Sequence, residues 1–225
     1  MLKENLDKIF SCIKNGNNLG EPITLVGATK MVDVDVINEA IALGLKVVAE
    51  NKVQEFNLKH GKIVGAREHF IGHLQTNKVK YLVGEVELIH SVDSIHLAEE
   101  IDKRAYKKGV IQDILIEVNI GGELSKSGFS LDNASNAISE IVSQFKSVRV
   151  KGLMAMLPHT ENKQEIVELC LKMRALYDKL KEPFCFSYLS MGMSNDYEIA
   201  VQNGSNMIRL GTQIFGKRNY QNEVK

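Results

Sequence analysis

An amine at the end of an apolar run is the first group in this chain whose position suggests chemistry. Residues 23–29 read ITLVGAT, and Lys30 follows directly. One reading is structural: the lysine lays its stem along a strand end and keeps its charge in water. The other is functional: an amine in a partly dry mouth, where desolvation lowers the pKa and makes it a nucleophile for a carbonyl carbon. Two later segments bear on the choice. LSMGMSND at 189–196 and IRLGTQIFG at 208–216 each leave an apolar run through a glycine and a hydroxyl residue towards a helical stretch. Ser194 reads as a helix N-cap, with Gly192 permitting a close backbone turn, and Gly211 and Thr212 repeat the arrangement. Free N–H groups and a helix dipole at such turns favour a dianion such as phosphate, although two well-capped turns would look the same.

The elements that must hold these groups alternate along the chain. Apolar, often β-branched runs lie at 23–29, 45–50, 69–72, 88–92, 114–120, 150–157, 187–193 and 206–212. Between them lie stretches of helical periodicity, several opened by Asp or Ser and closed by Gly. Strict alternation requires parallel strands joined by right-handed crossovers. Eight repeats in 225 residues fit a compact (β/α)8 TIM barrel, with an open doubly wound sheet as the alternative. Barrel sites form at the C-terminal strand ends, and the loops after strands seven and eight recurrently hold phosphate. Residues 215–225, after the eighth strand, are too short for a covering helix. Leu2, Leu6, Ile9, Phe10 and Ile13, at helical spacing, predict an extra N-terminal helix over that gap. With three prolines and no low-complexity stretch, nothing marks a boundary, and residues 1–225 read as one domain.

The 28 basic and 28 acidic residues cancel, which gives no support to nucleic acid or an anionic membrane as partner. Cys12, Cys170 and Cys185 are scattered and show no metal-ligand spacing, as expected of thiols in a reducing compartment. No signal peptide and no run of about 20 apolar residues is visible, so the expectation is a cytoplasmic protein. His69 and His73 stand four apart but on a strand and its exit loop, without a third ligand, and no metal site is expected. Glu50 and Asp93 read as strand-end residues tying loops by hydrogen bonds. The stripe Ile166, Leu169, Cys170, Met173, Leu176 and Leu180 reads as core.

The motifs VGATK at 26–30, AENKVQE at 49–55, HFIGHLQTNK at 69–78, IHSVDS at 89–94, VNIGGELSKSG at 118–128, GLMAM at 152–156, LSMGMSND at 189–196 and GSNMIRLGTQIFG at 204–216 together resemble the YggS family. These are the pyridoxal phosphate homeostasis proteins, or proline synthase co-transcribed homologues. The resemblance covers nearly the whole chain, in order. It implies the alanine racemase N-terminal type of barrel and pyridoxal 5'-phosphate as cofactor, held by Lys30 as a Schiff base. It further implies a phosphate cradle of Ser194, Gly211 and Thr212, with Arg209 facing the pyridine nitrogen and Asn51 near the ring. Ser190 and Met191 are lining residues of the same motif. His73, Gln75, Asn77 and Lys78 belong to the mouth, and Lys126 is either a second mouth lysine or a solvated loop residue. The family often has Ser where Thr29 stands and Gly where Ala49 stands; neither change removes a functional group.

A guanidinium stays protonated and donates to the pyridine nitrogen without protonating it. The ring is then a weaker electron sink, which restrains carbanion chemistry. Racemisation also needs a second acid–base group on the opposite face of the substrate carbon. In alanine racemase a tyrosine of a separate C-terminal domain supplies it, and the chain's end soon after Gly216 leaves no such domain expected. The resemblance therefore implies a carrier that holds, buffers or delivers the cofactor to pyridoxal-phosphate-dependent apoenzymes, with little or no catalysis, as a monomer. The alternatives are an amino-acid racemase or related enzyme and, from the barrel alone, an aldolase-type enzyme acting on a sugar phosphate.

Overall fold

The computed structural model describes residues 1–123 and 127–216. The strands are β1 (Thr24–Ala28), β2 (Val47–Glu50), β3 (Arg67–Phe70), β4 (Leu88–Val92), β5 (Gln112–Asn119), β6 (Phe129–Ser130), β7 (Val148–Ala155), β8 (Tyr188–Ser190) and β9 (Met207–Leu210). All pair in parallel. The order β4-β3-β2-β1-β9-β8-β7-β5 is closed by β4 against β5, so eight strands form a barrel, and the two-residue β6 pairs with the end of β5. This is the expected (β/α)8 architecture, and closure pairs each of the eight barrel strands on both sides.

The helices are α1 (Leu2–Ile13), α2 (Val34–Ala42), α3 (Val53–Lys59), α4 (Ile95–Lys108), α5 (Leu131–Gln144), α6 (Lys163–Phe184), α7 (Tyr197–Gln202) and α8 (Thr212–Phe215). Their caps follow the sequence. Ser94, Ser130 and Asn162 each accept a backbone N–H at the start of α4, α5 and α6, and Gly109 closes α4 in the left-handed conformation. The segment after β3 differs from expectation: Thr76–Tyr81 is a 3-10 helix. It is short and rich in Thr, Asn, Val and Tyr, weak helix formers that suit the tighter form.

The apolar stripe of α6 is buried at all six expected positions. The stripe of α1 buries Leu6, Ile9 and Ile13 with Leu25, Ile208, Leu210 and Ile214. Asn5 Nδ2 donates to Ile214 O at 3.0 Å and ties α1 to the short α8. The N-terminal helix thus covers the gap that α8 leaves.

Inside the barrel, Val26, Val47, Ala49, Leu88, Leu115, Met154 and Met207 pack together. Side chains alternate along a strand, so the inward series continue upward: Val26–Ala28–Lys30, Val47–Ala49–Asn51, Met207–Arg209–Gly211. Pleating alone aims an amine, an amide and a guanidinium into one mouth.

Candidate functional site

Lys30 stands in the turn after β1, half-buried. That turn is unusually constrained. Met31 has φ 58, a left-handed conformation that side chains other than glycine rarely adopt. Its N–H donates to Glu55 Oε2 at 2.7 Å. Lys59 Nζ bonds Thr29 O at 2.8 Å, Glu50 Oε1 at 2.6 Å and Glu55 Oε2 at 3.3 Å, while Thr29 Oγ1 donates to Glu50 Oε1 at 2.7 Å. Burial pushes the Glu50 carboxyl above its ordinary value, and the Lys59 ammonium opposes the shift. A second lysine therefore fixes the backbone on both sides of Lys30. The expected role of Glu50 as a loop tie is what the structure contains.

Arg209 forms the floor. It is buried, with Nη1 donating to Ser190 O at 3.0 Å and Ser190 Oγ at 2.6 Å, and Nη2 to Ala155 O at 3.0 Å. Burial brings its pKa down to about 10, against the pull of Glu117 and Asp196, so it remains a cation at neutral pH. Glu117, from β5, is also buried and lines the same cavity. Burial, and then the charge of Asp93, pushes its carboxyl up to about 7, with Arg209 and His73 acting in the other direction.

That shift has a consequence for stability. The ordinary glutamate value is 4.5, so between 4.5 and about 7 the folded chain binds the proton more tightly than the unfolded chain. The stabilisation is complete below 4.5 and is lost as pH rises through 7, amounting to about 3 kcal/mol over the full window. Glu117→Gln should be close to neutral at low pH and stabilising above pH 7. Denaturant midpoints at both ends of the window check this; a variant with the same pH dependence as the parent would refute it.

A cavity of about 920 Å³ opens above these groups. Lys30, Asn51, Ser194, Arg209, Gly211 and Thr212 all line it, so six of the eight residues singled out in the sequence share one wall. Ser190 and Met191 are fully buried behind that wall, and Ser190 reaches the site through Arg209. Ser194 is not the cap of α7: Asp196 is the N-cap, and its carboxylate accepts the Met193 N–H at 2.5 Å. Ser194 instead sits in the preceding turn, where it lines the cavity. Gly192, at φ 101, makes that turn possible, because a Cβ there would stand 2.8 Å from Ala200 Cβ.

His73 also lines the cavity and lies 3.3 Å from Asp93 Oδ2, whereas Gln75, Asn77 and Lys78 are absent from its described lining. His69 points into the barrel away from His73 and contacts His90. Lys126 lies outside the described residues. Among the described residues no cluster of three His, Cys, Asp or Glu side chains forms a metal cage. Sequence reasoning missed Glu117. Its only signal was a charge within the otherwise apolar run ILIEVNI.

The wall combines a primary amine, a permanent cation, two hydroxyls and the buried Asn51 Oδ1, which has no hydrogen-bond partner. An acceptor left unpaired in a pocket calls for a donor from a ligand. These groups are complementary to an anionic aldehyde: a primary amine can condense with a carbonyl, and hydroxyls and a guanidinium can bind an anion.

Comparison with known proteins points the same way. Residues 23–219 match the family model for the alanine racemase N-terminal domain. A pyridoxal phosphate homeostasis protein of Aquifex aeolicus is 43% identical over 221 residues, covering 96% of this chain and 95% of the relative. The structure of PipY from Synechococcus elongatus with pyridoxal phosphate bound superposes with a TM-score of 0.83 at 29% identity, covering 96% of this chain and all of the other. Alanine racemase of Clostridium difficile shares the fold (TM-score 0.81, 15% identity), and the match spans 57% of that longer chain. No described helix is long and apolar enough to cross a membrane.

Proposed function

The chain belongs to the pyridoxal phosphate homeostasis protein family of alanine-racemase-type barrels, and from that premise we propose that it holds pyridoxal 5'-phosphate through Lys30 and passes it on rather than using it for turnover. The observation that carries this reading is the convergence of Lys30, Arg209, Ser194 and Thr212 on one cavity containing an unpaired buried acceptor.

When bound, pyridoxal phosphate supplies an aldehyde for condensation with an amine, with loss of water, and a pyridine ring that draws electrons from whatever is attached. The chain's own groups divide the remaining work. The Lys59–Glu50–Glu55 network fixes the turn from which Lys30 Nζ reaches the carbonyl. Ser194 and Thr212, with the backbone at Gly211, hold the phosphate. Arg209 donates to the ring nitrogen and keeps its own proton, which limits the electron sink and supports a carrier over a catalyst. The described lining contains no tyrosine to act from the opposite face. The same reading takes residues 1–225 as one domain, a cytoplasmic monomer whose recipients are pyridoxal-phosphate-dependent apoenzymes.

The experiment is a spectrum followed by transfer. Protein mixed with pyridoxal phosphate should turn yellow, and borohydride should fix the label on the peptide carrying Lys30. Loaded protein should then activate an apoenzyme while turning over D- or L-alanine at no measurable rate. A colourless mixture would sink the cofactor reading, and enzyme-like turnover would replace the carrier with a racemase.

A further inference from the structure

Two imidazoles lie inside the barrel beneath Arg209. His90, on β4, and His69, on β3, are 0% and 1% exposed. Ser190 Oγ, which receives the Arg209 Nη1 proton at 2.6 Å, lies 3.4 Å from His90 Nδ1. His90 Nε2 lies 3.0 Å from His69 Nδ1. His69 Nε2 in turn faces Glu87 Oε1 at 3.7 Å, longer than a hydrogen bond but within reach of the carboxylate. Glu87 immediately precedes β4 at the opposite end of the barrel, 40% exposed and bonded to Arg67 Nη1 at 3.0 Å.

The two ends of this series settle the direction of every proton in it. Arg209 has donors only. Ser190 Oγ therefore accepts from Arg209, and its own hydrogen is directed to His90 Nδ1. His90 must then carry its proton on Nε2 and donate to His69 Nδ1, which leaves His69 with its proton on Nε2, facing the Glu87 carboxylate. The reverse order would aim a lone pair of His69 at an anion and give Ser190 two incoming donors with no acceptor for its own hydrogen. Burial holds both imidazoles below the usual histidine range, so each is neutral and each has a single tautomer to choose. Contact with His69, and the charge of Arg67, hold the Glu87 carboxyl below its ordinary value, keeping that end anionic.

We propose that Ser190, His90 and His69 form a one-way hydrogen-bonded chain leading away from Arg209, its last N–H, on His69 Nε2, facing the Glu87 carboxylate across 3.7 Å, and that the two histidines are positioning residues for the ring contact made by Arg209; the second half of this statement rests on the cofactor reading above. Neither histidine touches the cavity. Their effect passes through the orientation of the Ser190 hydroxyl, which decides whether the guanidinium has its third acceptor.

The test has two arms. In cofactor-free protein labelled with 15N-histidine, both side chains should be neutral with the proton on Nε2 at about pH 7 to 8, above the ordinary histidine value from which burial lowers them. A proton on Nδ1 of either ring, or an imidazolium, overturns the chain. In the second arm His90→Leu and His90→Gln are titrated with pyridoxal phosphate. Glutamine can accept from Ser190 and donate to His69, so it should preserve the parent's visible spectrum and affinity. Leucine should shift the band and weaken binding about tenfold, the scale of one charge-assisted hydrogen bond. If glutamine behaves as leucine does, or if both match the parent, the positioning role is wrong while the cofactor reading survives. Should His90→Leu fail to fold, the tautomers and the glutamine variant still decide. A parent that takes up no pyridoxal phosphate overturns the reading on which the positioning role rests, and the tautomers then judge the chain by themselves.

Discussion

Lys30→Ala should abolish covalent capture of pyridoxal phosphate while leaving a folded protein that still binds it weakly. The side chain is half-buried at the cavity wall, so its loss should change stability by less than about 1 kcal/mol. Arg209, Ser194 and Thr212 still line the cavity, and on the proposed reading they are the groups that would hold ring and phosphate. Affinity should nevertheless fall about 100-fold, equivalent to about 2.7 kcal/mol of lost tether. No borohydride-fixed peptide should be recovered. Lys59 cannot substitute, since its Nζ is already shared among Thr29 O, Glu50 Oε1 and Glu55 Oε2. A small alkylamine added to the variant should restore the yellow colour, because the defect is a missing amine and not a missing pocket. Undiminished affinity, or a covalent adduct on another lysine, would rule out Lys30 as the tether.

The barrel and much of this site could be read in advance for a physical reason. A strand buried on both faces is a continuous apolar run, and a barrel alternates such runs with amphipathic helices. Lys30, Asn51, Arg209 and Gly211 stand at even intervals from inward residues of their own strands, so period two carries them to the mouth. What could not be read depends on relations between strands. Glu117 stands two residues beyond the inward Leu115 and is carried to the cavity by the same period, but in the apolar run ILIEVNI nothing marks which alternate residues face inward; that is set by how β5 pairs with its neighbours. His69 and His90 meet because β3 and β4 are paired with His69 opposite Leu88, which places His90 one inward step above. The Ser194 turn was misassigned for a local reason. Asp196, two residues on, is an equally good cap, and its carboxylate takes the Met193 N–H. Phe129–Ser130 is too short a strand to leave any periodic signal.

Arg209→Met should be the most destabilising single change at this site, and more so at pH 8 than at pH 6. The substitution leaves Ser190 O, Ser190 Oγ and Ala155 O without their donors and removes the cation facing Glu117 and Asp196. Breaking a buried ion network by removing one partner costs about 3–5 kcal/mol. At pH 6 Glu117 is already largely protonated, since its carboxyl titrates near 7 and would titrate higher without Arg209. At pH 8 the parent carries an ionised Glu117 balanced by the guanidinium, and the variant must either bury that charge unpaired or bind a proton against the pH. The loss of stability should therefore grow across this interval. Arg209→Lys separates charge from geometry. An ammonium restores the cation but not the fork that spans Ser190 and Ala155, so it should recover only part of the stability. It should also alter the bound cofactor. A buried lysine releases its proton far more readily than a guanidinium does, so it can pass one to the ring nitrogen and deepen the electron sink. The lysine variant should show a changed visible band and slow conversion of added amino acids that the parent lacks. If Arg209→Lys matches the parent in spectrum and inertness, the guanidinium is only a structural cation, and restraint of the ring must come from elsewhere in the cavity.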